Sequence, residues 1–211
     1  MLSVEQKAER VARAERHAES DRLVSGDYIR MNGDWKGCSV GCDFVEIQLG
    51  KGLDINTINA NGGDFHSVVA EHDGTPEWLE HLRDKIFEGL PAEDRAWWHV
   101  SLAKSLPVGV DLGPAYHLIC IRILNDLLSQ KESWPESCRG QVADSINQTI
   151  AFHQEPTESA WSAARSAAES AAWSAAESAW SAAESAAWSA ANKRIALHII
   201  EVFESMEKKN G

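Results

Sequence analysis

Between residues 159 and 191 the chain is almost wholly alanine, serine, tryptophan and glutamate, and it repeats. Serines fall at 159, 162, 166, 170, 174, 178, 181, 185 and 189. The residue ahead of each serine after the first is bulky: Trp161, Arg165, Glu169, Trp173, Glu177, Trp180, Glu184 and Trp188. Spacings of three, four and four give about 3.67 residues per turn, the pitch of a nearly straight α-helix. Alanine is the strongest helix former, so the segment can fold into little else. Beyond it, Ile195, Ile199, Val202 and Phe203 form an ordinary amphipathic stripe. The spacing predicts one helix from Thr157 to about Lys208, roughly 75 Å long at about 1.5 Å per residue. A compact chain of 211 residues is about 45 Å across. Such a helix must bend, near Asn192–Arg194 where the pattern changes, or project into a partner or a second copy of the chain.

The rest also reads as helices. Ser3 and Gln6 have capping-box spacing and Gly26 supplies a stop, so a first helix is expected over Ser3–Val24. It has few large apolar residues, so it is either mostly solvated or packed through a narrow stripe. Residues 25–75 are irregular, with glycines throughout. Short strands are expected at Tyr28–Met31 and Phe44–Leu49, where Val45, Ile47 and Leu49 alternate with polar residues. Asn56–Asp64 reads as a surface loop. Thr75-Pro76, Pro91, Asp111 to Pro114, and Pro135 each open a helix. The third of these, running to about Ser129, is apolar on nearly every face and is expected to be central, with Cys120 buried in it. The resulting fold class is mainly α. It is a single-domain helical bundle made of an N-terminal helix (1–24), an irregular or short-stranded segment (25–75), a helical core (76–155) and the long Ala/Trp helix (157–208).

A net charge of −12 argues against long nucleic acid, which needs a dense basic face. No run of uncharged apolar residues is long enough to span a membrane, and no apolar export segment follows the charged start. The expected location is cytoplasmic, with Cys38, Cys42, Cys120 and Cys138 as thiols.

Chemistry concentrates in Gly37-Cys38-Ser39-Val40-Gly41-Cys42. Two cysteines four positions apart, each preceded by glycine, allow three readings. They are half a zinc site completed by His66 and His72, a cysteine nucleophile with a histidine base, or a tight turn whose small residues admit close approach of backbone or ligand. The turn is favoured, and neither a metal nor a cofactor is assigned. His81, His99 and His117 read as structural, and the acids at Asp84, Glu88, Glu93 and Asp94 read as a solvated helix end and turn. No HExxH, GxSxG, P-loop or GxGxxG pattern occurs.

These motifs carry a resemblance. Gly37–Cys42, Thr75-Pro76-Glu77-Trp78-Leu79, Asp84–Pro91, Val108–Leu112 and the Ala/Trp tail resemble a family of uncharacterised phage, prophage and bacterial proteins. Its pattern is GCxVGC, a histidine, IPxxLxxLxDxIFEGLP, then an Ala-rich tail with aromatic repeats. The resemblance covers most of residues 20–191, and His66 suits the family histidine. The stretch from Cys42 to His66 is longer here, and Val69-Ala70 stands where a Tyr-Glu pair is usual. The resemblance implies no enzymatic activity.

The expected function is therefore a phage-type, non-enzymatic binding protein that sequesters a nucleotide-derived host immune signal in the host cytoplasm. Trp35, Trp161, Trp173 and Trp180 would stack on rings. Arg22, Arg30 or Arg165 would hold phosphates, and Cys38, Gly41, Cys42 and His66 would line the site. One alternative is an inhibitor or adaptor acting on a host protein. Another is a Cys/His metal- or thiol-dependent enzyme. The Ala-rich helix also offers a route to homo-oligomers.

Overall fold

The structure is a computed structural model that describes residues 1–32, 34–61, 64–157, 159 and 184–210. It is mainly helical, as expected, with one two-stranded sheet among the described residues. No described helix is long and apolar enough to cross a membrane. The backbone forms two compact units. The first holds Met1–Gly113 together with the C-terminal residues from Ala186; the second holds Pro114–Ser185.

In the first unit, α1 (Val4–Glu19) starts at the anticipated capping box. Ser3 Oγ accepts the Gln6 N–H at 3.1 Å, and Gln6 Oε1 accepts the Ser3 N–H at 2.9 Å. It stops earlier than Val24, because Asp21 takes a φ of 51° and turns the chain away. Residues 22–24 then pair with Gly37. Strands β1 (Arg30–Asn32) and β2 (Asp34–Lys36) form a small antiparallel hairpin with Met31 opposite Trp35.

Helix α2 (Ser39–Gly50) occupies the segment expected to hold a strand at Phe44–Leu49. The alternation there was misleading because this helix is buried on almost every side, from Ser39 through Val45 and at Ile47. Periodicity cannot separate a short buried helix from a strand. The Asn-rich stretch expected to be a loop contains α3 (Ile55–Asn61). Asp54 Oδ1 starts it by accepting the N–H groups of Asn56 and Thr57 at 3.0 and 3.1 Å, a cap that outweighs the poor propensity of asparagine.

Helices α4 (Phe65–Asp73), α5 (Glu77–Gly89) and α6 (Ala92–Ser105) follow. The last two begin after Pro76 and Pro91, as the proline positions predict. The core of this unit includes Leu79, Phe87, Trp98, Leu102 and Phe203, and the Trp98 indole donates to the Arg83 carbonyl at 3.1 Å. The final helix (Glu184–Asn210, called α9 below) runs unbroken through Asn192–Arg194. Its Ile199, Val202 and Phe203 are buried as the stripe predicts, while Ile195 is half-buried.

The second unit contains α7 (Ala115–Ser129), a short 3-10 turn at Lys131–Ser133, and α8 (Glu136–Gln154). The expectation that α7 is central fails. Only Ala115 and Ile119 of this helix are buried, Cys120 is half-buried, and Tyr116, Leu118 and Leu127 are exposed. Packing along α8 covers one side of it. The rest of the Ala/Trp repeat expected over 157–208 lies outside the described residues up to Glu184.

Candidate functional site

Two features of the first unit carry chemistry. The first is a charge network inside the core. Helix α1 buries Arg10, Arg13, Ala14 and His17, which have the three-four spacing of one helical face. The narrow stripe read from the sequence exists, but it is made of cations. Arg10 Nη1 reaches Asp73 Oδ2 and Glu80 Oε1, both at 2.8 Å. Arg13 Nε meets Asp43 Oδ1 at 2.8 Å, and its Nη2 spans both oxygens of Asp73 at 2.8 Å. Arg83 donates to the other Asp43 oxygen, and the Thr75 hydroxyl donates to Glu80 at 2.7 Å. Three guanidinium groups thus face three carboxylates, all at most 1% exposed, so the buried charge balances. Helices α1, α2, α4 and α5 are tied through it.

Two histidines complete the cluster. His17 Nδ1 lies 3.3 Å from His99 Nε2 and 3.6 Å from Asp43 Oδ1, and His17 Nε2 lies 2.8 Å from Glu46. Burial pushes His99 down to about 3 even though Asp43 pulls the other way. Burial would raise the Asp43 and Glu80 carboxyls. Arg13 and Arg83 outweigh it at Asp43, and Arg10 and Arg83 hold Glu80 at about 2.

These shifts set the acid response. An unfolded His99 takes a proton near 6.5, which the folded protein refuses until about 3, so stability falls as pH drops through that window. Glu80 adds a second loss as pH drops from its ordinary 4.5 towards about 2, and Asp43 acts in the same direction, while burial raises Asp73 and makes it a partial offset. Urea titrations at stepped pH should show stability declining below neutrality at up to about 1.4 kcal/mol per pH unit and more steeply at lower pH. His99→Gln should flatten the upper part. An upper limb unchanged in that variant would mean that His99 is not its source.

The second feature is an open cleft of about 490 Å³ lined by Tyr28, His66, His81, Asp84, Lys85, Glu88 and Gly89. A smaller recess with Gly26, Asp27 and Cys38 shares Tyr28, Asp84 and Glu88 with it. The Gly-Cys motif builds its wall. A Cβ on Gly37 would meet the Tyr28 carbonyl oxygen at 2.1 Å, and one on Gly41 at 1.7 Å. Both glycines therefore exist to let residues 26–28 cross the start of α2. The Cys38 N–H donates to the Asp27 carbonyl at 2.8 Å, and Cys38 Sγ caps α2 by accepting the Gly41 N–H at 3.4 Å. The crossing puts the Tyr28 ring in parallel stack with Phe65 at 4.7 Å and edge-on to His66 at 5.7 Å. His66 stacks on His81 at 3.8 Å, and its Nε2 faces Asp84 Oδ2 at 3.6 Å. Glu88 Oε2 accepts the Gly26 N–H at 2.8 Å.

The floor of the cleft is acidic. Burial and Asp84 push the Tyr28 phenol up to about 12, and they raise the Cys38 thiol as well. Burial, with Asp84, also raises Glu88. Burial and His81 lower His66 against the pull of Asp84.

The residues singled out in the sequence separate here. Cys38 and His66 both reach Asp84 in this cleft. Gly41 and Cys42 stand behind it; the Cys42 thiol approaches the Gly37 and Arg22 carbonyls at 3.4 and 3.5 Å. Trp35 belongs to a different cleft, where Arg22 stacks over its ring at 4.0 Å. Arg22 also pairs with Asp34, and Arg30 with Asp27, so neither is gathered with His66. Trp161, Arg165, Trp173 and Trp180 lie outside the described residues. Asp84, read from the sequence as part of a solvated helix end, instead has a side chain only 13% exposed and lies at the heart of the cleft. Tyr28 was missed, and His81, read from the sequence as structural, lines the cleft. The available signal was the helical spacing of His81, Asp84 and Glu88 on one side of α5.

No protein-family model, curated protein or solved structure matches the chain.

Proposed function

We propose that the protein is a non-enzymatic binding protein that sequesters a small nucleotide-derived molecule in the Tyr28–His66–Asp84 cleft. The composition of that cleft carries the reading. Aromatic and imidazole rings (Tyr28, His66, His81) stand beside carboxylates (Asp84, Glu88). Rings stack on a base, and carboxylates accept from sugar hydroxyls and base amino groups. The acidic floor repels phosphate, so the sugar and base enter first and the phosphates turn outward towards Lys85 at the rim. Resemblance of the Gly-Cys and Asp84–Pro91 motifs to phage and prophage proteins supports a host immune signal as the ligand and the host cytoplasm as the place of action.

Isothermal titration with cyclic ADP-ribose-type molecules, cyclic dinucleotides and their parent nucleosides tests this. One ligand class should bind at one site per chain. Asp84→Asn and His66→Ala should each weaken it by on the order of tenfold or more, the worth of one charge-assisted hydrogen bond. Folded protein that binds none of the panel, or binds equally well in both variants, overturns the assignment.

A further inference from the structure

We infer that the floor of this cleft is a binding site for a zinc-class divalent cation, held by Cys38, Asp84 and Glu88 with His66 as the fourth ligand. The inference shares its location with the ligand reading above but does not depend on what that ligand is.

Three ligand atoms are already gathered. Cys38 Sγ and one carboxylate oxygen each from Asp84 and Glu88 lie within 4.8 Å of one another. They come from different elements, with Cys38 at the N-cap of α2 and Asp84 and Glu88 one turn apart on α5. The fourth donor is a separate observation. His66, in the first turn of α4, is 8% exposed, and its ring makes no hydrogen bond among the described residues. It lines the cleft, and its Nε2 stands 3.6 Å from Asp84 Oδ2, too far for a hydrogen bond. Bonds of about 2.0–2.3 Å to a tetrahedral ion put neighbouring ligand atoms roughly 3.3–3.8 Å apart. His66 stands outside the group that the other three form, but its separation from Asp84 matches that of two ligands sharing an ion.

The supporting shell fits as well. The Gly41 N–H already points at Cys38 Sγ and orients it at the start of α2. Glu88 is oriented by the Gly26 N–H. The His66 ring is fixed between the edge of Tyr28 and the face of His81. Neighbouring acids at Asp27, Asp84 and Glu88 repel one another, and a cation would relieve this. One sulfur, one nitrogen and two carboxylates suit zinc-class ions; magnesium and calcium take oxygen ligands. The pairing of Cys38 with Cys42 read from the sequence is not the one formed, because Cys42 faces backbone carbonyls.

The test uses the metal alone. Chelator-stripped full-length protein is titrated with zinc chloride by calorimetry, then with cobalt(II) followed by absorbance. One zinc per chain should bind, with proton release from the Cys38 thiol. Cobalt should give a thiolate-to-metal charge-transfer band in the near ultraviolet. Cys38→Ser should abolish that band while leaving the circular dichroism unchanged. Asp84→Asn and His66→Ala should each weaken zinc by on the order of tenfold or more. Absence of binding, or a cobalt band that survives Cys38→Ser and so belongs to another cysteine, overturns the site. Repeating the nucleotide titrations on stripped protein separates the two proposals: zinc binding without any nucleotide binding leaves this site standing and removes the ligand assignment, and the converse removes only the metal.

Discussion

Asp43→Asn should destabilise the first unit by about 3–5 kcal/mol, the cost of breaking a buried ion pair from one side. Asp43 is 0% exposed and accepts from both Arg13 and Arg83, with His17 and His99 also facing it. Asparagine keeps the shape but removes the charge, leaving one guanidinium uncompensated where no water reaches. Its amide also turns two donors towards guanidinium groups that can only donate. Against a total stability of about 5–15 kcal/mol, that loss should move the urea midpoint far down or prevent folding. Glu9→Gln is the matched control. Glu9 pairs with the same Arg13 at 3.6 Å, but its side chain is 56% exposed, so water already screens the pair and the change should be under about 1 kcal/mol. Equal effects of the two substitutions would mean that the network is not sealed from solvent.

Gly41→Ala should cost about 3 kcal/mol or more, at the upper end of what overpacking costs. The added carbon would stand 1.7 Å from the Tyr28 carbonyl oxygen. The obstacle is backbone, so no side-chain rotation relieves it. Either α2 retreats or residues 26–28 lift away. Both routes release the Asp27–Cys38 hydrogen bond and shift the Tyr28 ring off Phe65. Gly50→Ala, on the same helix with nothing within 4 Å of the new carbon, should instead be neutral or stabilise by up to about 1 kcal/mol. The two variants differ only in position along α2, so comparing their thermal midpoints isolates the clash. A Gly41→Ala protein as stable as Gly50→Ala would show that the crossing at Tyr28 is looser than described.

The sequence revealed helices best where they announce their own ends. The capping box at Ser3 and the prolines at 76, 91, 114 and 135 placed the starts of α1 and α5–α8 within a residue or two. It failed where a pattern has two causes. Val45, Ile47 and Leu49 alternate as a strand would, yet they belong to a helix surrounded by core. The glycines of the Gly-Cys motif marked close approach correctly, but not what approaches; that answer, the Tyr28 carbonyl, lies in a non-local contact. The network was hidden for another reason. Arginine and aspartate normally signal surface, and only their three-four spacing on a leucine-poor helix hinted otherwise. Of the cleft, Cys38 and His66 were legible as reactive types, whereas Tyr28, His81 and Asp84 gain meaning only when α2, α4 and α5 meet.

The charged core also constrains how this chain can change over generations. A leucine in an oily interior can drift to methionine or isoleucine in one step. Arg10, Arg13, Arg83, Asp43, Asp73 and Glu80 cannot, because each pairs with two members of opposite sign. A viable route must alter opposite signs together, or swap several members at once for apolar residues of matching volume. Descendants of this sequence should therefore inherit all six as a block or lose them as a block, while the acids and rings lining the cleft, bound by no such mutual obligation, remain free to be retuned one at a time.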